Sequence, residues 1–155
     1  MANETIYDIL HREHEDVQKL LDQLDETGGP VTRGRLLERL KAALLPHMHA
    51  EEATLYKALR AHSEAKEPAL DAKEEHRAAT HTLHELERLS PDSELWSARF
   101  HVLKESIEHH VEEEEGTVFK AAKKVFDRDA AVALGQQFLA AKQDYAESAA
   151  VRATG

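Results

Sequence analysis

The sequence has no cysteine among its 155 residues. This absence excludes disulfide bonds, thiolate zinc sites, iron–sulfur clusters and cysteine nucleophiles, so a metal ion would have to bind histidine, carboxylate or tyrosine. Long apolar runs are also absent, because no segment approaches the roughly 18 apolar residues of a membrane-spanning helix. The N-terminus lacks a basic stretch followed by an apolar one. We therefore expect no membrane insertion, no export and a cytoplasmic location.

Glycine, proline and aromatic residues are scarce: the chain has six glycines, four prolines and 5% aromatic residues. With 41% hydrophobic and 32% charged residues, this composition favours a helical bundle. The net charge is −10, and the 20 lysines and arginines form no basic cluster, so we expect no nucleic-acid partner. Histidine, by contrast, occurs 11 times. This abundance is the compositional feature that indicates chemistry.

Apolar residues recur with helical spacing through four long segments that short clusters of breaker residues separate. We predict an all-α fold in which short connections arrange these segments as an up-down-up-down four-helix bundle. A single domain is expected over about residues 1–150, with the bundle at about 5–126 and an additional alanine-rich helix at about 129–148. The predicted bundle helices cover about residues 5–27, 32–62, 68–89 and 93–126.

The chain contains an internal repeat of histidines and glutamates. A histidine followed four and five residues later by glutamates occurs at His47 and again 63 positions later at His110. The pair Glu13-His14 recurs 62 positions later as Glu75-His76. The sequence therefore looks like a duplicated helical hairpin, in which each half carries a histidine on its first helix and His-x-x-x-Glu on its second. Such a duplication predicts a site between the halves.

Residues three and four apart share a helix face, so the apolar stripe of each helix can be followed along the sequence. Every stripe of the bundle is interrupted by a histidine, and two stripes are interrupted again one turn later by a glutamate. In the first two helices the histidines lie about 13 and 14 residues from the shared connection, which places both roughly 20 Å from it. We expect six polar side chains to converge at one level of the core: His14, His47, Glu51, His76, His110 and Glu114.

One histidine on an apolar stripe is usually a surface residue or a satisfied core residue, but six polar residues at matching height need another explanation. Two unpaired carboxylates buried together would be strongly unfavourable, because of desolvation and mutual repulsion. Two divalent or trivalent cations between them reverse the sign of that cost. A donor set of histidine and carboxylate favours iron or manganese over calcium, and zinc stays open as an alternative.

These residues resemble the hemerythrin-like proteins of the HHE cation-binding type. The resemblance rests on His14, on the runs that begin at His47 and His110, and on the glutamate-preceded His76, and it spans about residues 5–126. It implies a four-helix bundle around a non-haem centre of two iron ions with an oxo or hydroxo bridge. It also implies that the two glutamates bridge the ions and that the partner is a small diatomic ligand or peroxide.

The sequence departs from the oxygen-carrying hemerythrins at two positions. Those proteins have a second histidine four residues after the third-helix ligand and an aspartate five residues after the last histidine. Here Thr80 and Glu115 occupy these positions. With four histidines and two bridging glutamates, both ions keep open coordination positions, which suit inner-sphere chemistry with oxygen, peroxide or nitric oxide. Reversible oxygen transport is therefore not the expected function.

Tyr56 is expected to pack in the core, with a role as modulator of the metal centre as the alternative. His11 is expected on a solvated face, with contact to a metal ligand as the alternative. Glu52 and Glu115 are expected to form salt bridges at the surface rather than to bind a metal, and the paired glutamates of the family imply, as the alternative, that they support the ligands. Two functions follow from the sequence. One is a di-iron oxidoreductase with catalase- or peroxidase-like activity; the other is a non-catalytic module that binds, stores or senses iron. The sequence names no electron donor, and it does not define the oligomeric state.

Overall fold

The computed structural model describes residues 3–154 and contains five helical elements in that range. Helix α1 is Ile6–Glu26, α3 is Lys66–Glu87 and α5 is Arg128–Thr154. Helix α2 consists of Pro30–Glu51, a π-helical turn Glu52–Tyr56 and a last turn Lys57–Leu59. Helix α4 likewise consists of Trp96–Glu113, a π-helical turn Glu114–Val118 and Phe119–Val125. No strand occurs among the described residues, so the predicted all-α bundle with a C-terminal helix is confirmed.

Local sequence signals explain where the helices begin. Thr5 caps α1 through a reciprocal pair, because its hydroxyl accepts from the Asp8 N–H and the Asp8 carboxylate accepts from the Thr5 N–H. Helix α2 begins at Pro30, slightly earlier than predicted, since a proline in the first turn has no N–H that would need a partner. Helix α5 extends beyond the predicted residue 148 to Thr154. Its alanine-rich end contains no glycine or proline that would stop it.

Helix α5 packs on the α1 and α2 side of the bundle. Its approach to α1 is close at Gly135, where an added Cβ would lie 3.0 Å from Ile9 Cδ1 and 3.2 Å from the Glu4 carbonyl oxygen. A larger residue at this position would push the two helices apart. The additional helix is therefore part of the packed structure near the start of α1.

The hydrophobic core is divided into two clusters by a layer of buried polar side chains. On α1 the division falls between Leu10 in the first cluster and Val17 in the second, and on α3 it falls between Ala72 and Ala79. On α2 and α4 the clusters also meet at one level. We call the dividing residues the polar layer; each is 7% exposed or less: His14, His47, Glu51, His76, His110 and Glu114.

Among residues 3–154, none of the helices combines the length and the apolar character that crossing a bilayer requires.

Candidate metal centre

The structure brings all six residues of the polar layer together. His14 Nε2 lies 3.1 Å from Glu114 Oε1, and His47 Nε2 lies 3.0 Å from Glu51 Oε1. His76 Nε2 lies 3.2 Å from the same Glu51 oxygen. His110 Nε2 lies 3.0 Å from His76 Nε2 and 3.7 Å from Glu114 Oε2. Each histidine comes from a different helix and directs its Nε2 atom toward the two carboxylates.

The polar layer divides into two groups that share both glutamates. In each group, one candidate donor atom per residue lies within 4.8 Å of all the others. The first group has the histidines of α1 and α2, and the second has those of α3 and α4. The groups are His14, His47, Glu51 and Glu114, and then His76, His110, Glu51 and Glu114.

Five atoms at the middle of the polar layer lack hydrogen-bond partners among the described residues. Both oxygens of Glu51, Oε1 of Glu114 and the Nε2 atoms of His14 and His47 are buried without a hydrogen bond among the described residues. The histidine nitrogens lie 3.0 to 3.1 Å from carboxylate oxygens, but the angles at these atoms do not suit a hydrogen bond. Buried polar atoms without partners cost free energy, and a cation that accepts their lone pairs would remove that cost. The donor set therefore fits a metal ion, with histidine and carboxylate typical of iron, manganese or zinc.

Each histidine is oriented by a glutamate on a neighbouring helix. The Nδ1 atoms lie 2.6 to 3.0 Å from carboxylate oxygens, in the pairs His14 with Glu115, His47 with Glu13, His76 with Glu52, and His110 with Glu75. We call these four glutamates the outer carboxylates. Each outer carboxylate accepts a hydrogen bond from Nδ1–H, so the Nε2 lone pair stays available for a metal ion at the centre. Histidine metal ligands are usually held by such a hydrogen bond.

The outer carboxylates correct one sequence-based expectation. Salt bridges at the surface were the preferred expectation for Glu52 and Glu115, but each contacts a buried histidine, in agreement with the alternative that they support the ligands. His11 is exposed as expected, and its Nδ1 lies 2.8 Å from the second oxygen of Glu115. Glu13 and Glu75 were not foreseen in this role. The signal that would have found them is the repeated Glu-His pair, because each glutamate precedes one histidine and supports the histidine of the next helix.

The charges of the metal-free centre are strongly coupled. Burial alone would lower the pKa of His47, but the charge of Glu51 and the hydrogen bond to Glu13 outweigh it and raise the pKa to about 10. At His76, burial would also lower the pKa, but the hydrogen bonds to Glu51 and Glu52 outweigh it and raise the pKa to about 9. Burial and the neighbouring charge of Glu51 raise the pKa of Glu114. Without a metal, protonated histidines therefore balance the buried carboxylates.

A π-helical turn follows the glutamate in α2 and begins at the glutamate in α4. Its hydrogen bonds join residues five apart, so it changes the face on which later side chains lie. In α2 this change brings Tyr56, five residues after Glu51, to the polar layer. The Tyr56 hydroxyl donates to Glu114 and lies 3.3 Å from His76 Nε2. Burial and the charge of Glu114 raise the tyrosine pKa well above its ordinary value, so the phenol keeps its proton.

The equivalent position in the second half of the chain carries no hydroxyl. Phe119 follows Glu114 by five residues, as Tyr56 follows Glu51, and its ring packs 5.1 Å from that of Tyr7. Helix α5 adds a second difference, because Lys142 Nζ lies 2.7 Å from Glu13 Oε2. The ring of Phe138, also on α5, packs edge-on at 5.7 Å from the ring of His47. The two halves of the centre therefore have different surroundings.

A small cavity of about 10 Å³ adjoins all four histidines. Its other walls are apolar side chains, most of them from the second core cluster, and this volume is at the lower limit for one water molecule. Thr80 is half-buried, and its hydroxyl donates to the His76 carbonyl oxygen at 2.8 Å, within its own helix. The side of the centre away from Tyr56 is thus narrow and apolar.

Neither a curated protein nor a solved structure matches the chain. A family model does match, and its description is the hemerythrin HHE cation-binding domain. The matched residues, 5–122, include the whole polar layer and all four outer carboxylates. They cover more than half of the chain, and the buried histidines and glutamates fit the cation binding that gives the domain its name. The chain belongs to the hemerythrin HHE cation-binding family.

Proposed function

We propose that this protein holds two iron ions in the polar layer and binds or reduces oxygen, hydrogen peroxide or nitric oxide there. One ion would be held by His14 and His47 and the other by His76 and His110, with Glu51 and Glu114 bridging both. The observation that carries this proposal is the convergence of buried histidine and carboxylate atoms in two groups that share both glutamates, with His14 Nε2, His47 Nε2 and three of the four carboxylate oxygens lacking hydrogen-bond partners among the described residues. Manganese and zinc are the alternatives that the same donors accept.

Bound iron would supply electron transfer and open coordination positions for a small ligand. The residues of the chain supply the surroundings of that chemistry. The outer carboxylates hold the four imidazoles with Nε2 toward the centre, and a small apolar cavity of about 10 Å³ adjoins all four rings. The Tyr56 hydroxyl keeps a proton next to Glu114 and His76, and it would donate to a ligand's oxygen atom by turning from Glu114.

Turnover is favoured over reversible oxygen transport because Thr80 stands where the oxygen carriers have a fifth histidine. The preferred activity is slow reduction of peroxide or oxygen, catalase-like or peroxidase-like. With no cysteine in the chain, no internal thiol would act as the reductant. The alternative is a non-catalytic module that stores or senses iron.

The proposal is tested on protein loaded with ferrous iron in air and freed of unbound metal. We expect about two iron atoms per chain, charge-transfer absorption of a bridged ferric pair, and hydrogen peroxide consumption above that of an equal amount of free iron. The exposed histidine variant His101→Ala should behave like the parent protein. One iron or none per chain would refute the two-ion centre. Two irons without peroxide consumption, but with reversible binding of oxygen or nitric oxide, would refute the enzyme and leave the binding module.

A further inference from the structure

Helix α5 reaches the outer carboxylate of one half of the centre. Lys142 Nζ lies 2.7 Å from Glu13 Oε2, while the other oxygen of Glu13 lies 2.9 Å from His47 Nδ1. The side chain of Glu13 is 17% exposed and that of Lys142 is 31% exposed, so solvent screens this chain of contacts only partly. A cation on the C-terminal helix is therefore linked by one carboxylate to a histidine of the polar layer.

The second half of the centre has no equivalent cation among the described residues. There Glu75 holds His110 Nδ1 at 2.8 Å, and its other ion-pair neighbour is the exposed His109 at 3.7 Å. The side chain of Glu75 is 29% exposed, more than that of Glu13. Two histidines in equivalent positions thus have carboxylate partners that differ in charge balance and in burial.

We infer that Lys142 is a positioning residue that acts through Glu13 on His47 and makes the first half of the centre electronically different from the second. The part of this inference that concerns iron rests on the proposed function. The lysine charge draws electron density from the Glu13 carboxylate, which then accepts less strongly from the His47 Nδ1–H. A histidine with a weaker carboxylate partner is a weaker metal ligand at Nε2. The first half should therefore favour the oxidised ion less than it would without Lys142.

The chain offers a matched control for loss of a lysine–glutamate pair. Lys41 on α2 lies 2.8 Å from Glu87 on α3, with side-chain exposures of 34% and 21%. This pair joins two helices, as Lys142 and Glu13 do, but its carboxylate does not contact a histidine of the polar layer. Lys41→Met therefore reports what loss of such a pair does to the bundle, and Lys142→Met reports the effect on His47 in addition. Lys142→Arg keeps the charge.

The first measurement uses metal-free protein labelled with ¹⁵N histidine and follows the Nδ1–H proton of His47 by NMR. In Lys142→Met this signal should move downfield, because Glu13 regains its full strength as an acceptor. The signal of His110 in the same spectrum should stay in place, and Lys142→Arg and Lys41→Met should leave the His47 signal unchanged. An unmoved or upfield His47 signal in Lys142→Met, or an equal shift in Lys41→Met, would overturn the inference.

The second measurement uses the iron-loaded protein and records its reduction steps. In Lys142→Met one of two steps should move to a more negative potential, since removal of a nearby positive charge stabilises the oxidised ion, and Lys41→Met should move neither. Two unshifted steps would overturn the inference for the loaded protein. A parent protein without two iron ions would instead refute the proposed function, while the metal-free spectra would still decide whether Lys142 acts on His47.

Discussion

The two halves of the bundle place the same residue types around the polar layer but surround them differently. In the half formed by α1 and α2, the additional helix α5 packs on both helices, places Phe138 against His47 and brings Lys142 to Glu13. In the half formed by α3 and α4, His76 instead lies next to the hydroxyl of Tyr56, for which the repeat has only Phe119. The histidines and glutamates of the polar layer follow the duplication, whereas the residues that surround them do not. Two equivalent pairs of histidines can therefore have unequal properties.

The largest expected effect comes from residues that both halves share. Glu51→Ala or Glu114→Ala should abolish binding of both ions, whereas His14→Ala should remove a ligand of one ion only. Both glutamate variants should also melt at lower temperature, because metal binding contributes to folding free energy and the buried histidines lose their counter-charge. Metal analysis and thermal melting test this, with the exposed Glu112→Ala as control. Retention of one firmly bound ion in Glu51→Ala would contradict the shared role.

A smaller effect is expected from the outer carboxylates, which act on one half each. Glu13→Gln should weaken the ion held with His47, and Glu75→Gln the ion held with His110, each by about 10-fold in metal affinity. Competition with a chelator should then show one weakened and one unchanged ion in each variant, and two weakened ions in the double variant. Equal affinities in the parent and in both single variants would show that the outer carboxylates do not support the ligands.

The metal-free protein should lose stability as the pH rises above neutral. The folded pKa values of His47 and His76, about 10 and about 9, lie above the ordinary value of 6.5. Their stabilising charge is therefore fully present below about pH 6.5, and it is lost as the pH rises through 9 and then 10. The melting temperature should fall between pH 7 and pH 10.5, and NMR should show His47 and His76 still protonated at pH 7.

Metal loading should remove this loss of stability with rising pH, because metal ions bind the deprotonated histidines and loading releases protons. Over the same range, metal affinity should rise with pH and the loaded protein should keep its melting temperature. A metal-free protein whose melting temperature stayed constant or rose from pH 7 to pH 10.5 would contradict the raised pKa values.

Helical periodicity was sufficient to predict the fold and to select the polar layer. An α-helical stripe repeats every three to four residues, so a buried histidine followed by a glutamate one turn later is visible in sequence. The structure places all six selected residues together, and their role as metal ligands stays a prediction for metal analysis. The assignment of one domain to residues 1–150 also stays a prediction.

The surroundings of the layer could not be predicted in the same way. The π-helical turn shifts the face of α2 after Glu51, so an unbroken α-helical period does not place Tyr56 beside Glu114 and His76. The contacts of the outer carboxylates run between helices, and a single helix pattern does not contain them. Lys142 was not foreseen, because its partner lies 129 positions earlier in the chain.

The smallest expected effect concerns the hydroxyl that distinguishes the second half. Tyr56→Phe removes the donor to Glu114, which should lower the stability of the metal-free protein by about 1 to 2 kcal/mol while both ions still bind. If the hydroxyl supplies a proton to bound ligand, peroxide consumption should fall at unchanged iron content.

The reciprocal variant Phe119→Tyr places a hydroxyl at the equivalent position of the other half, where Glu51 has no hydrogen-bond partner among the described residues. In the double variant the hydroxyl moves from one half to the other, and it should restore part of the activity lost in Tyr56→Phe. Equal peroxide consumption in the parent and in Tyr56→Phe, at equal iron content, would show that Tyr56 only packs in the core.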